Sequence, residues 1–318
     1  MNFLVFTVSL LIGVLTKLKA EEFELNGPEC GVSGTPKLVI NGSAAIPGQF
    51  PWMVKLTMHF PQSPPGECSG SIITRRHVLT AAHCLVNDEG VKATMAGVYY
   101  GHTDFFQAQS VSVQKMLIHP RYTYRPKRTN DIAIVLVNRP FQYTPNVRPI
   151  CLPPRRMNVI NRDATAAGWG RTHQGGPPAI DLQYTSLQTV PHKVCQMTHG
   201  RRYKRRSMLC AQNTETTVCH GDSGGALFIE VDKGRYVQVG ITSFGSGNKT
   251  YCKNHATVFT HVGAFMPWIK RNIGKHKLYH DLTEQEFTGA EEFSVDPDSF
   301  LSDAEYTAHY PPWEYVLL

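Results

Sequence analysis

The chain has 318 residues, of which 42% are hydrophobic, so it can bury a large core in one or two domains. Its formal net charge is +7, but no zinc-type cysteine spacing and no nucleic-acid-binding signature accompanies that charge. Beyond the first residues, no stretch is long and apolar enough for a membrane span. Composition and spacing therefore argue against a zinc protein, a nucleic-acid-binding protein and a membrane protein.

Residues 1–20 are predicted to form a secretory signal peptide. The apolar run from Phe3 to Val14 is too short to span a bilayer, and Ala20 is a small residue at the expected cleavage point. The product is therefore expected to be secreted and extracellular. In an oxidising compartment its eight cysteines favour disulfides over metal ligation. Eight cysteines allow 105 pairings, and spacing alone does not choose among them.

The middle of the chain is typical of short β-strands. Segments rich in Val, Ile, Thr and Tyr alternate with Gly, Pro and Asn, and the predicted strands include residues 50–58, 71–79, 132–137 and 237–243. This pattern is all-β and does not alternate strands with helices. Residues 81–85 are predicted to form a helical turn, and residues 263–273 an amphipathic closing helix.

Three short motifs contain candidate catalytic side chains. Residues 219–225 read CHGDSGG around Ser223, residues 80–84 read TAAHC around His83, and residues 130–134 read NDIAI around Asp131. Each has a structural alternative: a glycine-rich surface loop, a core histidine or a strand-edge aspartate. A serine attacks a carbonyl only if a base takes its proton, and the oxyanion that forms needs N–H donors. Glycines beside Ser223 permit the tight turn that such donors require.

The order His83, Asp131, Ser223 resembles that of chymotrypsin-like serine endopeptidases, and the resemblance covers roughly residues 30–273. The motifs SGS at 69–71, GWG at 168–170 and SFG at 243–245 match further landmarks of that family. The resemblance implies an all-β fold of two antiparallel Greek-key β-barrels with a short C-terminal helix. It also implies a protein or peptide substrate and no cofactor.

The same resemblance implies a role for each motif residue. His83 is the general base, Asp131 orients it, and Ser223 is the nucleophile. The N–H groups of Gly221 and Ser223 form the oxyanion hole. Residues 243–245, which are Ser243, Phe244 and Gly245, form the edge that pairs with the substrate backbone.

The resemblance also implies a domain plan and four disulfides. Residues 21–38 are a propeptide, residues 39–274 the protease domain and residues 275–318 an acidic tail predicted to be disordered. The implied pairs are Cys30–Cys151, Cys68–Cys84, Cys195–Cys210 and Cys219–Cys252. The family's acidic calcium loop corresponds to residues 101–111, which contain a single acidic residue, Asp104. No metal is therefore expected there.

Activation is expected to expose Val39, whose new ammonium group pairs with Asp222. Exposure of Val39 needs a cut after Leu38, whereas this family usually has Arg or Lys at that junction. The activating protease therefore stays open, and self-activation by an enzyme that prefers apolar residues is one alternative.

The specificity pocket is expected to favour medium apolar side chains such as Leu, Met or Val, with large aromatic side chains as the second choice. By resemblance its base is Thr217, which carries no charge to pair with Lys or Arg, and its walls are Gly245 and Thr257. Two glycosylation sequons begin at Asn41 and Asn248; the first lies awkwardly close to the mature start.

Charge is unevenly distributed along the chain. Residues 39–274 contain 27 Lys and Arg against 11 Asp and Glu, a net +16, whereas residues 275–318 contain 2 against 10, a net −8. The densest basic run is residues 201–206. Three interpretations are open: a solvated loop, an exosite for an anionic glycan and a processing site. A monomeric endopeptidase is the favoured function, and the alternative is a non-catalytic homologue that binds anionic partners.

Overall fold

The computed structural model describes residues 24–34, 43–124, 128–155, 157–173, 175–213, 218–219, 221–232, 234–245 and 256–288. Residues up to Lys277 belong to one compact unit, and Leu278–Leu318 form a second unit, of which the structure describes the end of one helix. The side chains of that last helix are described as far as residue 275. No helix within these ranges is long and apolar enough to cross a membrane.

Thirteen strands and three α-helices are described. The strands are β1 (Ser43–Ala44), β2 (Met53–Phe60), β3 (Ser63–Ile72), β4 (His77–Thr80), β5 (Met95–Tyr100), β6 (Gln109–Ile118), β7 (Ala133–Val137), β8 (Asp163–Gly168), β9 (Gln183–Val190), β10 (Met208–Gln212), β11 (Ala226–Asp232), β12 (Arg235–Phe244) and β13 (Thr257–His261). The helices are α1 (Ala82–Leu85), α2 (His192–His199) and α3 (Val262–Thr288), and Phe105–Gln107 and Gly200–Arg202 form short 3₁₀ turns.

The strands close into two antiparallel barrels of six. The first has the order β2-β3-β4-β7-β6-β5, and pairing of β2 with β5 closes it. The second has the order β9-β10-β13-β12-β11-β8, closed by β8 against β9, with β1 added beside β9. Closure leaves few unpaired strand edges, which is how all-β proteins avoid edge-to-edge association. The predicted fold class is confirmed.

A cluster of aromatic rings joins the two barrels. The ring of Phe228 on β11 lies 5.3 Å from that of Trp52, which precedes β2, and 5.1 Å from that of Phe50. Tyr236 on β12 completes the cluster, 5.6 Å from Phe228. Trp52 and Phe228 are fully buried, so the cluster removes a large apolar area from water.

The segment 24–34 contacts the chain before β8, at Leu152, and strand β12, at Tyr236. Asn26 exchanges two hydrogen bonds with the backbone of Leu152, of 2.9 and 2.7 Å. Gly31, at φ +69°, accepts a hydrogen bond from Tyr236 N, and a Cβ at Gly31 would come within 2.2 Å of Tyr236 O. The predicted propeptide is therefore docked by backbone contacts in addition to its disulfide at Cys30.

Three predicted disulfides are present: Cys30–Cys151, Cys68–Cys84 and Cys195–Cys210. Cys219 is also disulfide-bonded, and Cys252, its predicted partner, lies outside the described residues. Val39, Asn41, Thr217 and Asn248 likewise lie outside them, so predictions that concern these residues stay predictions.

Two predicted elements are wrong in extent. Residues 71–79 are not one strand, because the chain turns between β3 and β4. The hydroxyl of Thr74 accepts hydrogen bonds from the backbone N–H groups of Arg76 and His77, which stabilises that turn. The closing helix α3 runs to Thr288 and not to residue 273, so residues 275–288 of the tail predicted to be disordered are helical. The residues that follow are outside the described ranges.

The aromatic cluster generates a stability prediction. Phe228→Ala should lower the free energy of unfolding by about 3–5 kcal/mol, because it leaves a cavity between the barrels. Phe106→Ala is the matched control, since Phe106 is 76% exposed and its removal should change stability by less than about 0.5 kcal/mol. Urea unfolding of both variants measures the difference, and equal losses would contradict the assigned role of the cluster.

Candidate active site

His83 is held by α1, the shortest of the α-helices that the structure describes. Helix α1 follows β4, and Ala82, Cys84 and Leu85 on it are buried, which leaves the imidazole directed away from the core. The Cys68–Cys84 disulfide ties α1 to β3. Although Cys68, Cys84 and His83 lie together, the sulfurs are bonded to each other and offer no thiolate to a metal.

Asp131 is almost completely buried, at 1% exposure, and its carboxylate is satisfied by hydrogen bonds. Its Oδ2 lies 2.8 Å from His83 Nδ1 and accepts a 2.5 Å hydrogen bond from the Ser243 hydroxyl. Its Oδ1 accepts the backbone N–H of His83 at 2.9 Å. Burial by itself raises the pKa of Asp131, but the attraction of His83 and the hydrogen bonds from His83 and Ser243 hold that pKa below its usual value.

The ionised Asp131 determines the tautomer of His83. An ionised carboxylate only accepts hydrogen bonds, so His83 Nδ1 must carry the proton. In the neutral imidazole, Nε2 is then the proton acceptor. His83 Nε2 is buried and has no hydrogen-bond partner in the described part of the chain, which includes Ser223. The structure thus joins His83 and Asp131 but leaves the Ser223 hydroxyl outside hydrogen-bond geometry with His83, as is common in proteases without substrate.

The loop that carries Ser223 is fastened between the two barrels. Ser69, on β3, donates its N–H to Ser223 O at 2.8 Å and its hydroxyl to Gly221 O at 3.2 Å. On the other side, Gly224 N donates to Thr242 O on β12 at 2.9 Å. Gly224 has φ +76°, and a Cβ there would come within 2.2 Å of Thr80 Oγ1, so only glycine fits.

Two N–H groups of this loop are available to a ligand. Asp222, Gly224 and Gly225 donate their N–H groups to backbone carbonyls. Within the described ranges, Gly221 N and Ser223 N have no such acceptor. These are the two donors that the sequence predicts for an oxyanion hole, and they lie on either side of Asp222 in the turn.

Asp222 is a second buried carboxylate. Its Oδ1 accepts Gly170 N at 2.9 Å and its Oδ2 accepts Cys219 N at 2.8 Å. A Cβ on Gly168 or on Gly170 would come within about 2.5 Å of this carboxylate, so both glycines of the GWG motif make room for it. Burial raises the pKa of Asp222 to about 6 in spite of the two hydrogen bonds. No cation pairs with it among the residues that the structure describes.

The predicted substrate edge is the end of β12. Ser243 and Phe244 are buried at 3% and 8% exposure, and Gly245 is exposed with no atom within 4 Å of an added Cβ. Thr257, a predicted pocket wall, is buried on β13. The predicted pocket base, Thr217, lies outside the described residues.

Sequence reasoning missed two residues of this site. The sequence motif identifies Ser69 only as a family landmark, although its hydrogen bonds hold the loop that carries Ser223. Arg128 donates from Nη1 to Ser243 O at 2.8 Å. No local pattern identifies that contact, because the two residues are 115 positions apart.

Comparisons with known proteins agree with this geometry. The family model described as Trypsin matches residues 39–269. Ovochymase-2 of Mus musculus is 29% identical over 315 residues, covering 90% of this chain and 49% of its own length. The proclotting enzyme of Tachypleus tridentatus is 29% identical over 275 residues, covering 81% of this chain and 72% of its own. Serine proteinase stubble of Drosophila melanogaster is 30% identical over 262 residues, covering 77% of this chain and 32% of its own length.

The chain therefore spans about half of ovochymase-2 and about a third of stubble. Among solved structures, HL collagenase is similar with a TM-score of 0.65 and 28% identity, over 74% of this chain and 99% of that one. The family model covers most of the chain, and the solved structure has the same fold. The chain belongs to the trypsin family of serine proteases.

Proposed function

We propose that this chain is an active, secreted serine endopeptidase made as a zymogen. The observation that supports this most directly is the buried Asp131, which receives hydrogen bonds from His83 and Ser243 and so keeps Nε2 of His83 ready to accept a proton. The leader-like residues 1–20 and the disulfides support secretion. Membership of the family supports a protein or peptide substrate.

In the proposed reaction, Ser223 Oγ attacks the scissile carbonyl as its proton moves to His83 Nε2. The C–O bond that forms places a negative charge on the former carbonyl oxygen, and the N–H groups of Gly221 and Ser223 bind it. Loss of one such donor typically costs about 3–4 kcal/mol of transition-state stabilisation. His83 then gives its proton to the leaving amine, and water hydrolyses the acyl-enzyme by the same steps.

Replacement of the nucleophile tests this assignment. Ser223→Ala should lower kcat for peptide hydrolysis by about 10⁴-fold or more, because no acyl-enzyme forms. It should also abolish labelling by a serine-reactive phosphonate while the urea unfolding curve stays close to that of the wild type. Ser110→Ala, in β6 and away from the loop, is the matched control. Phosphonate labelling of the Ser223→Ala protein would remove Ser223 from the mechanism.

A non-catalytic homologue that binds anionic partners is the second candidate. The observation that favours it is the exposed basic loop at residues 201–206, within a domain that has a net charge of +16. The same phosphonate experiment separates the two, since a non-catalytic homologue incorporates no label after cleavage at the Val39 junction.

The environment of Asp222 supports a zymogen. A buried carboxylate is costly unless a cation pairs with it, and the ammonium group released at Val39 is the proposed cation. This pairing is proposed to organise the oxyanion hole, so that cleavage between Leu38 and Val39 completes the site. Leu38 itself fits an activator that cuts after apolar residues.

This environment also predicts how stability depends on pH. Because the pKa of Asp222 is raised to about 6 in the uncleaved fold, the native state holds this proton more tightly than the unfolded chain does, whose Asp pKa is about 3.9. The contribution of this group to the free energy of unfolding should therefore fall as pH rises from about 3 to about 7, by about 3 kcal/mol in total.

Asp222→Asn should remove that fall, with a constant loss at all pH values because the amide nitrogen of Asn cannot accept the hydrogen bond from one of the two backbone N–H groups. Urea unfolding at pH 4, 5, 6 and 7 compares the two proteins. Cleavage at Val39 should also reduce the fall, because the ammonium group stabilises the ionised carboxylate. If the wild-type and Asp222→Asn curves run parallel, the proposed role of Asp222 is wrong.

Substrate preference is proposed to depend on Thr217 at the pocket base. A Lys or Arg side chain would enter without a partner for its charge, whereas Leu or Met would bury apolar surface. Peptides with Leu before the cut should exceed matched Arg peptides in kcat/KM by at least roughly tenfold. Thr217→Asp should shift this ratio toward Arg. A wild-type enzyme that prefers Arg would exclude Thr217 as the pocket base.

A further inference from the structure

An arginine occupies the substrate edge that the proposed function uses. Arg128 Nη1 donates a 2.8 Å hydrogen bond to the carbonyl of Ser243, at the end of β12. The same serine donates its hydroxyl to Asp131. A peptide that adds to this edge as an extra strand needs backbone acceptors on it, and the Ser243 carbonyl is one of them. Arg128 therefore competes with substrate backbone for this acceptor.

The position of Arg128 is held by its surroundings. Its backbone N–H donates to Tyr124 O at 2.9 Å, and its guanidinium carbon lies 5.0 Å from the centre of the Tyr124 ring. Its φ is +39°, in the left-handed region that side-chain-bearing residues rarely adopt. Such strain persists only where neighbouring contacts impose it, and it is concentrated at functional sites.

A second arginine reaches the same edge from the other side. The guanidinium carbon of Arg202 lies 4.6 Å over the ring of Phe244, the residue after Ser243. Arg202 is exposed and follows α2, in the loop closed by Cys195 and Cys210. The two arginines come from different barrels of the protein and contact neighbouring residues of one strand.

Neither guanidinium forms a salt bridge with a described residue. In the described ranges, no carboxylate lies within salt-bridge distance of Arg128 or Arg202. Arg128 attracts the Asp131 carboxylate electrostatically without a salt bridge to it, and that carboxylate is already bonded to His83 and Ser243. The substrate edge therefore presents two positive charges whose hydrogen-bonding capacity a ligand can use.

We propose that Arg128 and Arg202 select substrates that carry Asp or Glu in the residues just before the apolar residue at the cut. An acidic side chain offers Arg128 a charged, bidentate acceptor in exchange for the neutral carbonyl of Ser243. The exchange frees that carbonyl for the substrate backbone. A neutral peptide must displace Arg128 without giving it a new partner. This inference rests on the proposed peptidase function, which it narrows to acidic peptides.

Residues 35–38 of the chain, Thr-Pro-Lys-Leu, contain no acid, so the chain's own activation junction is a poor substrate under this rule. We therefore expect a different protease to cleave the bond between Leu38 and Val39.

Two peptides test the proposal on protein cleaved at Val39. One reads Ala-Glu-Glu-Leu before the reporter group and the other Ala-Gln-Gln-Leu. At low salt the wild type should favour the Glu peptide by about tenfold in kcat/KM, and the ratio should shrink as salt is added. Arg128→Gln and Arg202→Gln should each reduce the ratio by about threefold or more, since each removes one charge from the edge.

Matched variants separate these two contacts from general positive charge. Arg121→Gln removes an exposed arginine of the same loop as Arg128, and Arg201→Gln removes the neighbour of Arg202. Both should change the ratio by less than about twofold. A wild-type ratio near one, or an equal loss of the ratio in the control variants, would overturn the proposal.

A binding measurement keeps this test independent of catalysis. Ser223→Ala protein, titrated with the same two peptides by fluorescence anisotropy, should bind the Glu peptide about tenfold more tightly, and Arg128→Gln should reduce that preference. Selective binding without hydrolysis by the wild type would reject the proposed peptidase activity and retain the acidic recognition. Hydrolysis of both peptides at equal rates, or no binding of the Glu peptide, would reject the recognition.

Discussion

The buried carboxylate of Asp131 is the constraint on which the active site depends. A charge at 1% exposure is tolerated only if hydrogen bonds replace the water that it lost. Asp131 begins the segment that leads into β7 of the first barrel, and its partners come from both barrels. His83 belongs to the first barrel, whereas Ser243 on β12 and Thr260 on β13, which donates to Asp131 O at 2.7 Å, belong to the second. Satisfying one carboxylate therefore aligns the two barrels at the cleft.

The loop around Ser223 contains a second buried carboxylate, Asp222, whose pKa shifts in the opposite direction. Asp222 is buried like Asp131, but its hydrogen bonds come only from backbone N–H groups, and its pKa rises where that of Asp131 falls. The attraction of His83 and the side-chain hydrogen bonds from His83 and Ser243 make the difference, because Asp222 has no such partners among the described residues. The glycines at 168 and 170 keep space for the Asp222 carboxylate, so the fold retains a buried carboxylate that is costly to ionise.

The basic loop at residues 201–206 is anchored to the protein by one buried side chain, unlike a fully solvated charge run. Tyr203 in its middle is buried at 3% exposure, and its hydroxyl contacts His192 Nδ1 and donates to Met208 O. This anchor and the adjacent disulfide hold Arg202 above Phe244. Part of the positive charge of the domain is thereby placed at the cleft and not spread evenly over the surface.

The sequence by itself determined the features that depend on short spacing. Strand-forming segments alternate with turn residues, which predicted an all-β fold, and the His83, Asp131 and Ser223 motifs appear in a recognisable order. Three disulfide pairs that the family resemblance implied are present. Local signals failed at the turn after β3, where the side chain of Thr74 outweighs a continuous β-rich pattern.

Only the tertiary structure decided which distant residues meet. Ser243 reaches Asp131 across 112 positions and Arg128 reaches Ser243 across 115, whereas Asn26 docks on Leu152 across 126. Each contact pairs a common polar side chain with a backbone or carboxylate group that any sequence offers in abundance. No local composition marks such pairs, because barrel closure, and not the neighbouring residues, brings their atoms to hydrogen-bond distance.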